Sequence, residues 1–193
     1  MKITADAALE MLKKGNARFV DAKREYPRQC AARRKETANG QNPFAIILAC
    51  SDSRVTSEII FDQGLGDLFV VRVAGNVLDN AVIGSIEFAA TYLGASLIVV
   101  LGHSNCGAIK AIVDNAELTP SLKQSLQSVV EVKNLVEQGT CGDKLKDVTE
   151  MNAKVVAESL RNMPPVLNVL SKEGKIKIVS GFHDLETGKV EFF

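Results

Sequence analysis

The chain has 193 residues, 46 % hydrophobic and 24 % charged, with 23 Lys and Arg balancing 23 Asp and Glu. That length suits one domain with a substantial core, here taken as 1–193. The cancelled charge excludes the broad basic field through which proteins hold nucleic acid or anionic lipid.

Met1-Lys2-Ile3-Thr4 opens directly into an amphipathic pattern, without the apolar stretch of a signal peptide. No later apolar run approaches the roughly 18–20 residues of a membrane span. A cytoplasmic location is expected, and a targeting peptide already removed would leave no trace. Residues 4–20 have helical spacing, with Thr4 as N-cap and Ala8, Leu9, Leu12 and Phe19 available for one face. Residues 21–42 turn polar and basic, ending in Asn39-Gly40-Gln41-Asn42-Pro43: a solvated connection, or with residues 1–35 a helical arm packing on a second subunit.

Phe44-Ala45-Ile46-Ile47-Leu48 is a short apolar run of the kind that forms a buried parallel strand. It delivers Cys50-Ser51-Asp52-Ser53-Arg54-Val55. A short helix is expected over 57–63, a strand over 68–73 and a turn at Ala74-Gly75-Asn76. Apolar residues at 77, 78, 81, 82, 86, 89 and 93 predict a helix over 77–93, stopped by Gly94. The run Leu97-Ile98-Val99-Val100-Leu101 predicts the strand that delivers Gly102-His103-Ser104-Asn105-Cys106-Gly107, with a helix over 106–115 starting at that turn. Helices are expected over 118–138 and 143–170, interrupted at Gly139 and Met163-Pro164-Pro165. A strand over 175–180, a turn at 184–188 and a closing strand at 190–193 complete the chain. Strands alternating with helices define an α/β fold: a mainly parallel sheet flanked by helices, with an N-terminal helical arm.

In open α/β sheets, ligands bind beyond the carboxyl ends of the strands. Two such ends bring Cys50, His103 and Cys106 together, with Asp52 beside them. Thiolate and imidazole suit zinc, and three protein ligands leave a fourth position for water, hydroxide or the Asp52 carboxylate. Without a secretion signal, cysteines point to metal binding or free thiols rather than disulfides. Cys30 and Cys141, in polar surroundings, are expected to be free thiols. Arg54 can draw Asp52 into a bidentate pair and off the metal, a switch that a purely structural site would not need. The pattern still admits a closed site with Asp52 as permanent fourth ligand. No G-x-G-x-x-G follows a strand, which excludes a dinucleotide fold.

These segments resemble the two zinc motifs of the β-class carbonic anhydrases, joined by Gly-Asp-Leu-Phe-Val-Val-Arg-Val-Ala-Gly-Asn at 66–76. Leu12-Lys13-Lys14-Gly15-Asn16-Ala17-Arg18-Phe19 and Asp184-Leu185-Glu186-Thr187-Gly188-Lys189-Val190 extend the resemblance almost end to end. It implies one zinc per chain on Cys50, His103 and Cys106, and a catalytic pair of Asp52 and Arg54. The expected reaction is reversible hydration of carbon dioxide to bicarbonate and a proton, by attack of zinc-bound hydroxide that the pair orients. Gln41, Phe69 and Phe88 stand where the plant-like subgroup places residues facing bicarbonate, although Phe88 replaces a Tyr. His183 follows Phe182 where that family often has Tyr; it is a packed histidine or a proton shuttle. The family's unit implies a homodimer or higher homo-oligomer. Two other readings keep the same residues: hydrolysis of carbonyl sulfide or carbon disulfide, and a non-catalytic zinc-binding protein.

Overall fold

The computed structural model describes residues 3–139 and 142–193; Cys141 lies outside them. Five strands form one sheet: β1 (Ala45–Ala49), β2 (Leu68–Arg72), β3 (Leu97–His103), β4 (Lys177–His183) and β5 (Val190–Phe192). Their order is β2-β1-β3-β4-β5; all neighbours run parallel except β5, which is antiparallel to β4. β1 and β3 are buried throughout, as their continuous apolar runs require of central strands covered on both faces.

Alternation along the strands feeds two cores. Ile46, Leu48, Ile98, Val100 and Ile178 pack on one face under α4 (Asn80–Phe88), α8 (Lys144–Asn162) and α9 (Leu167–Lys172). Ala45, Ile47, Ala49, Val99 and Leu101 pack on the other against Ala8 and Leu12 of α1 (Ala5–Val20) and against Ile60 of α3 (Ser57–Ile60). Thr4 caps α1 through its side chain, as its position predicts. Within one chain α1 lies on its own sheet, and buried Asn16 fastens it there by donating to the Ile60 and Gly188 carbonyls and accepting from the Val190 N–H.

Several boundaries differ from expectation for local reasons. The polar stretch contains a helix, α2 (Ala31–Thr37), which buries none of its residues and so leaves no apolar periodicity. The helix expected from 77 starts at Asn80, because the Asp79 carboxylate caps it by accepting from the Val82 N–H; it ends in a π turn, Ala89–Leu93, closed by left-handed Gly94. The 118–138 helix divides into α6 (Pro120–Ser125) and α7 (Gln127–Glu137) at Leu126, whose side chain is fully buried. β4 occupies 177–183 rather than 175–180, pairing in register with the whole of β3.

Candidate metal centre

β1 ends at Ala49, one residue before Cys50, and β3 ends on His103. Because these strands are adjacent and parallel, both ends open at the same lip of the sheet. α5 (Gly107–Val113) starts just after Cys106, so Cys106 stands in extended conformation at its N-cap. The ligand atoms of Cys50, His103 and Cys106 lie within 4.8 Å of one another, and all three residues are buried. A third apolar cluster, including Ile109, Leu126, Val129 and Val148, packs around the two thiols.

His103 is completely buried, and its Nδ1–H donates to the Ser104 carbonyl at 2.9 Å. A carbonyl only accepts, so that bond places a proton on Nδ1; in the neutral ring Nε2 then carries the lone pair. Nε2 has no hydrogen-bond partner. An orphaned imidazole nitrogen facing two thiols is costly in an apolar interior unless a cation takes it up. The Cys106 thiol reaches the Cys50 sulfur at 3.9 Å. That contact lowers the Cys50 pKa, with further help from His103 and the Gly75 N–H; the same contact, together with burial, raises that of Cys106. The thiolate form is therefore favoured at Cys50, and Cys106 would give up its proton only to a bound cation. Donor set, burial and tautomer all fit a thiophilic metal.

Gly75 donates its N–H to Cys50 Sγ at 3.4 Å, and Asn152 on α8 donates to the Gly75 carbonyl at 3.0 Å. Gly75 has φ +74°, and a Cβ there would stand 2.9 Å from Leu126, so this support to the sulfur needs glycine.

Asp52 lies beside the cluster, turned onto Arg54. Arg54 Nε donates to Oδ1 at 2.9 Å, Nη2 to Oδ2 at 2.7 Å, and the Arg54 backbone N–H to Oδ1 at 3.0 Å. The guanidinium holds the Asp52 carboxyl far below the usual carboxylate range. Arg54 Nη2 also reaches the Asn105 carbonyl at 3.3 Å, tying the two ligand loops together.

The other sequence candidates lie elsewhere in the chain. Gln41 is exposed and precedes β1, at the opposite end of that strand from Cys50. Phe69 pairs with Ile46 early in β1, and its ring lies 6.3 Å from that of Phe88, which is 44 % exposed. His183 is the β4 neighbour of His103, buried against Phe19, with neither ring nitrogen partnered. Burial, reinforced by His103, pushes its pKa down to about 4. Cys30 is an exposed free thiol. Sequence reasoning missed Gly75, Asn152 and Arg72, which donates to the Cys50 and Asp52 carbonyls. An arginine closing an apolar strand was the one visible sign.

Fold and site thus define an α/β protein with a buried two-thiol, one-imidazole centre at the strand ends. Comparison with known proteins narrows this. The carbonic anhydrase family model matches residues 45–190. A carbonic anhydrase of Mycolicibacterium smegmatis is 42 % identical, covering 96 % of this chain and 91 % of that protein. Carbonic anhydrase 2 of Mycobacterium tuberculosis is 58 % identical over 105 residues, which are 54 % of this chain and 51 % of that one. In structure, one of two tetrameric β-carbonic anhydrases from Sordaria macrospora aligns with a TM-score of 0.76 at 23 % identity, covering 82 % of this chain and 84 % of that one. The chain belongs to the β-carbonic anhydrase family and is an enzyme of that class.

Proposed function

We propose that the protein carries out zinc-dependent, reversible hydration of carbon dioxide to bicarbonate and a proton. One observation carries this reading: the unpartnered His103 Nε2 faces two thiols beside a carboxylate that Arg54 draws aside. Cys50, His103 and Cys106 would hold one zinc per chain. When bound, zinc supplies the Lewis acidity that makes a water molecule a competent nucleophile near neutral pH.

The remaining work falls to the chain. Asp52 is ionised at every pH of interest, so it can only accept hydrogen bonds. Oδ1 accepts from Arg54 twice and Oδ2 once, which leaves acceptor capacity on Oδ2 for the O–H of the attacking group. That bond turns an oxygen lone pair toward the carbon of linear carbon dioxide. Arg54 keeps the carboxylate in place and away from the thiols, and the product proton leaves to buffer.

We further infer that the enzyme works as a homo-oligomer on the plant-like pattern, as the tetrameric state of the Sordaria macrospora proteins supports. Gln41, Phe69 and Phe88 then serve the substrate from a second copy, with residues 1–35 contributing to the contact. Among the described residues no helix is long and apolar enough to cross a membrane, and thiols at Cys30, Cys50 and Cys106 suit a reducing cytoplasm.

The test is stopped-flow hydration of carbon dioxide by metal-quantified protein at about pH 8.5, above the near-neutral pKa that zinc would confer on a water. Fast turnover with one zinc per chain is expected. Asp52→Asn should keep the zinc and lose on the order of 10²-fold or more in rate, the scale of a positioned acid–base group. Full zinc without hydration would redirect the reading to carbonyl sulfide or carbon disulfide, or to a binding protein. Activity in metal-free protein would overturn it.

A further inference from the structure

We propose that Arg72, the last residue of β2, is the positioning residue of the loop that carries both Cys50 and Asp52. Its Nε donates to the Cys50 carbonyl at 3.1 Å and its Nη2 to the Asp52 carbonyl at 2.6 Å. One rigid guanidinium thus spans two carbonyls with a single residue between them. The residues whose carbonyls it holds are those whose side chains form the first ligand and the acidic member of the Asp52–Arg54 pair.

The loop needs such a brace. The β1–β2 ladder ends at Ala49↔Arg72, extended only by the Val73 N–H to the Ala49 carbonyl and the Ser51 N–H to the Val73 carbonyl. Beyond that the backbone turns away from β2, and the Asp52 carbonyl closes a turn with the Val55 N–H at 2.9 Å. The Cys50 carbonyl, at a buried residue, takes its hydrogen bond from Arg72, and a buried carbonyl left without a donor is costly. Arg72 itself is exposed at the sheet edge and forms no ion pair among the described residues. Neither core packing nor charge pairing accounts for it; its fork is committed to the loop backbone. Arg54 completes the arrangement by tying the same loop across to the Asn105 carbonyl, beside Cys106. One arginine registers the loop to the sheet, and the other registers it to the second ligand loop. Lysine cannot substitute fully, because a single ammonium on a flexible stem lacks the planar fork.

This role rests on the metal reading above, and the test separates the two. Zinc affinity is measured by chelator competition on wild type, Arg72→Ala and Arg72→Lys, with visible spectra of the cobalt-loaded proteins and melting of the metal-free proteins alongside. Arg72→Ala should bind zinc about 10-fold or more weakly, the usual effect of removing a group that orients a metal ligand. Its cobalt bands should change, and kcat should fall while KM stays nearly constant. Arg72→Lys should recover part of each loss, and the metal-free proteins should melt within a few degrees of one another. Arg72→Ala that holds zinc within twofold of wild type with unchanged cobalt bands would overturn the role. Equal losses in both variants with collapsed melting would reduce Arg72 to general stability and overturn it too. A wild-type chain that takes up no metal would overturn the metal reading beneath it.

Discussion

The lip of the sheet at β1 and β3 and the outer face formed by β2 and α4 differ in how far one chain completes them. At the lip His103 and Cys106 are wholly buried and Cys50 nearly so, their atoms already gathered around one point. On the outer face Phe88 is 44 % and Tyr92 78 % exposed, their rings 5.5 Å apart and open to solvent. Strand direction explains the contrast. Adjacent parallel strands bring their ends together however far apart they lie in sequence, so residues 50 and 103 meet within one chain. Gln41, ahead of β1, and Phe69, on the edge strand, meet nothing catalytic there. The lip gathers its three donor atoms within one chain; the face leaves its aromatic rings to solvent.

The severest way to break this comparison is to remove a ligand. Cys106→Ser replaces a sulfur donor with a hydroxyl, a far poorer zinc ligand. Metal analysis should show zinc lost, and hydration should fall by at least about 10³-fold, roughly 4 kcal/mol of barrier. Circular dichroism should report an intact fold. Zinc retained at wild-type affinity would mean that the lip is not the metal centre.

A second prediction concerns the stretch leading to Gln41. Asp62, almost fully buried, accepts from Arg18 Nε at 2.6 Å and from the Glu25 and Tyr26 N–H groups at 2.9 and 3.1 Å, anchoring the chain as it leaves α1. Burial alone would raise the Asp62 pKa; the two backbone donors and Arg18 outweigh it, and the net shift is downward. A carboxyl with a depressed folded pKa contributes stability that is present above its unfolded value, near pH 4, and lost as pH falls through the lower folded value. Asp62→Asn should therefore cost about 2–3 kcal/mol in urea unfolding at neutral pH. The difference from wild type should shrink in acid, below the folded pKa. Zinc content should be unchanged, since nothing at the lip touches Asp62. An unchanged urea midpoint would show that this anchor is dispensable.

The lip was the most legible part of the sequence, and for a physical reason. Short β-branched runs such as Leu97-Ile98-Val99-Val100-Leu101 favour buried strands, and a cysteine and a histidine just past such strands sit at the sheet's end. The Asp52–Arg54 pair was legible because two residues' separation suffices to form it. What escaped depended on contacts distant in sequence. The break at Leu126 follows from that side chain's burial in the cluster around the thiols, which no local pattern records. The bracing by Arg72 and by Asn152 through Gly75 consists of bonds to backbone carbonyls, to which side-chain spacing is blind. α2 buries nothing and so carries no apolar stripe. For Phe69 and Phe88 the resemblance implies a place facing bicarbonate; within one chain they face each other, 6.3 Å apart, away from the lip.

The smallest expected effect bears on that open face most directly. Phe88→Glu places a carboxylate on a half-exposed position of α4, where solvation makes it cheap for the isolated chain. The fold should survive with little loss of stability. If a second copy covers the face, the carboxylate would be desolvated against Phe69 and its counterpart, and association should weaken. Sedimentation should then show smaller species, with hydration reduced about 10-fold, or about 1.4 kcal/mol, while zinc stays bound at the lip. That pattern would separate the two regions experimentally: metal held by one chain, substrate served by two. Unchanged assembly and rate would mean that Phe88 faces neither partner nor substrate. Half-buried Phe69 and exposed Phe88 and Tyr92 would then have no part in the reaction, and one chain's lip would have to supply every contact the substrate needs.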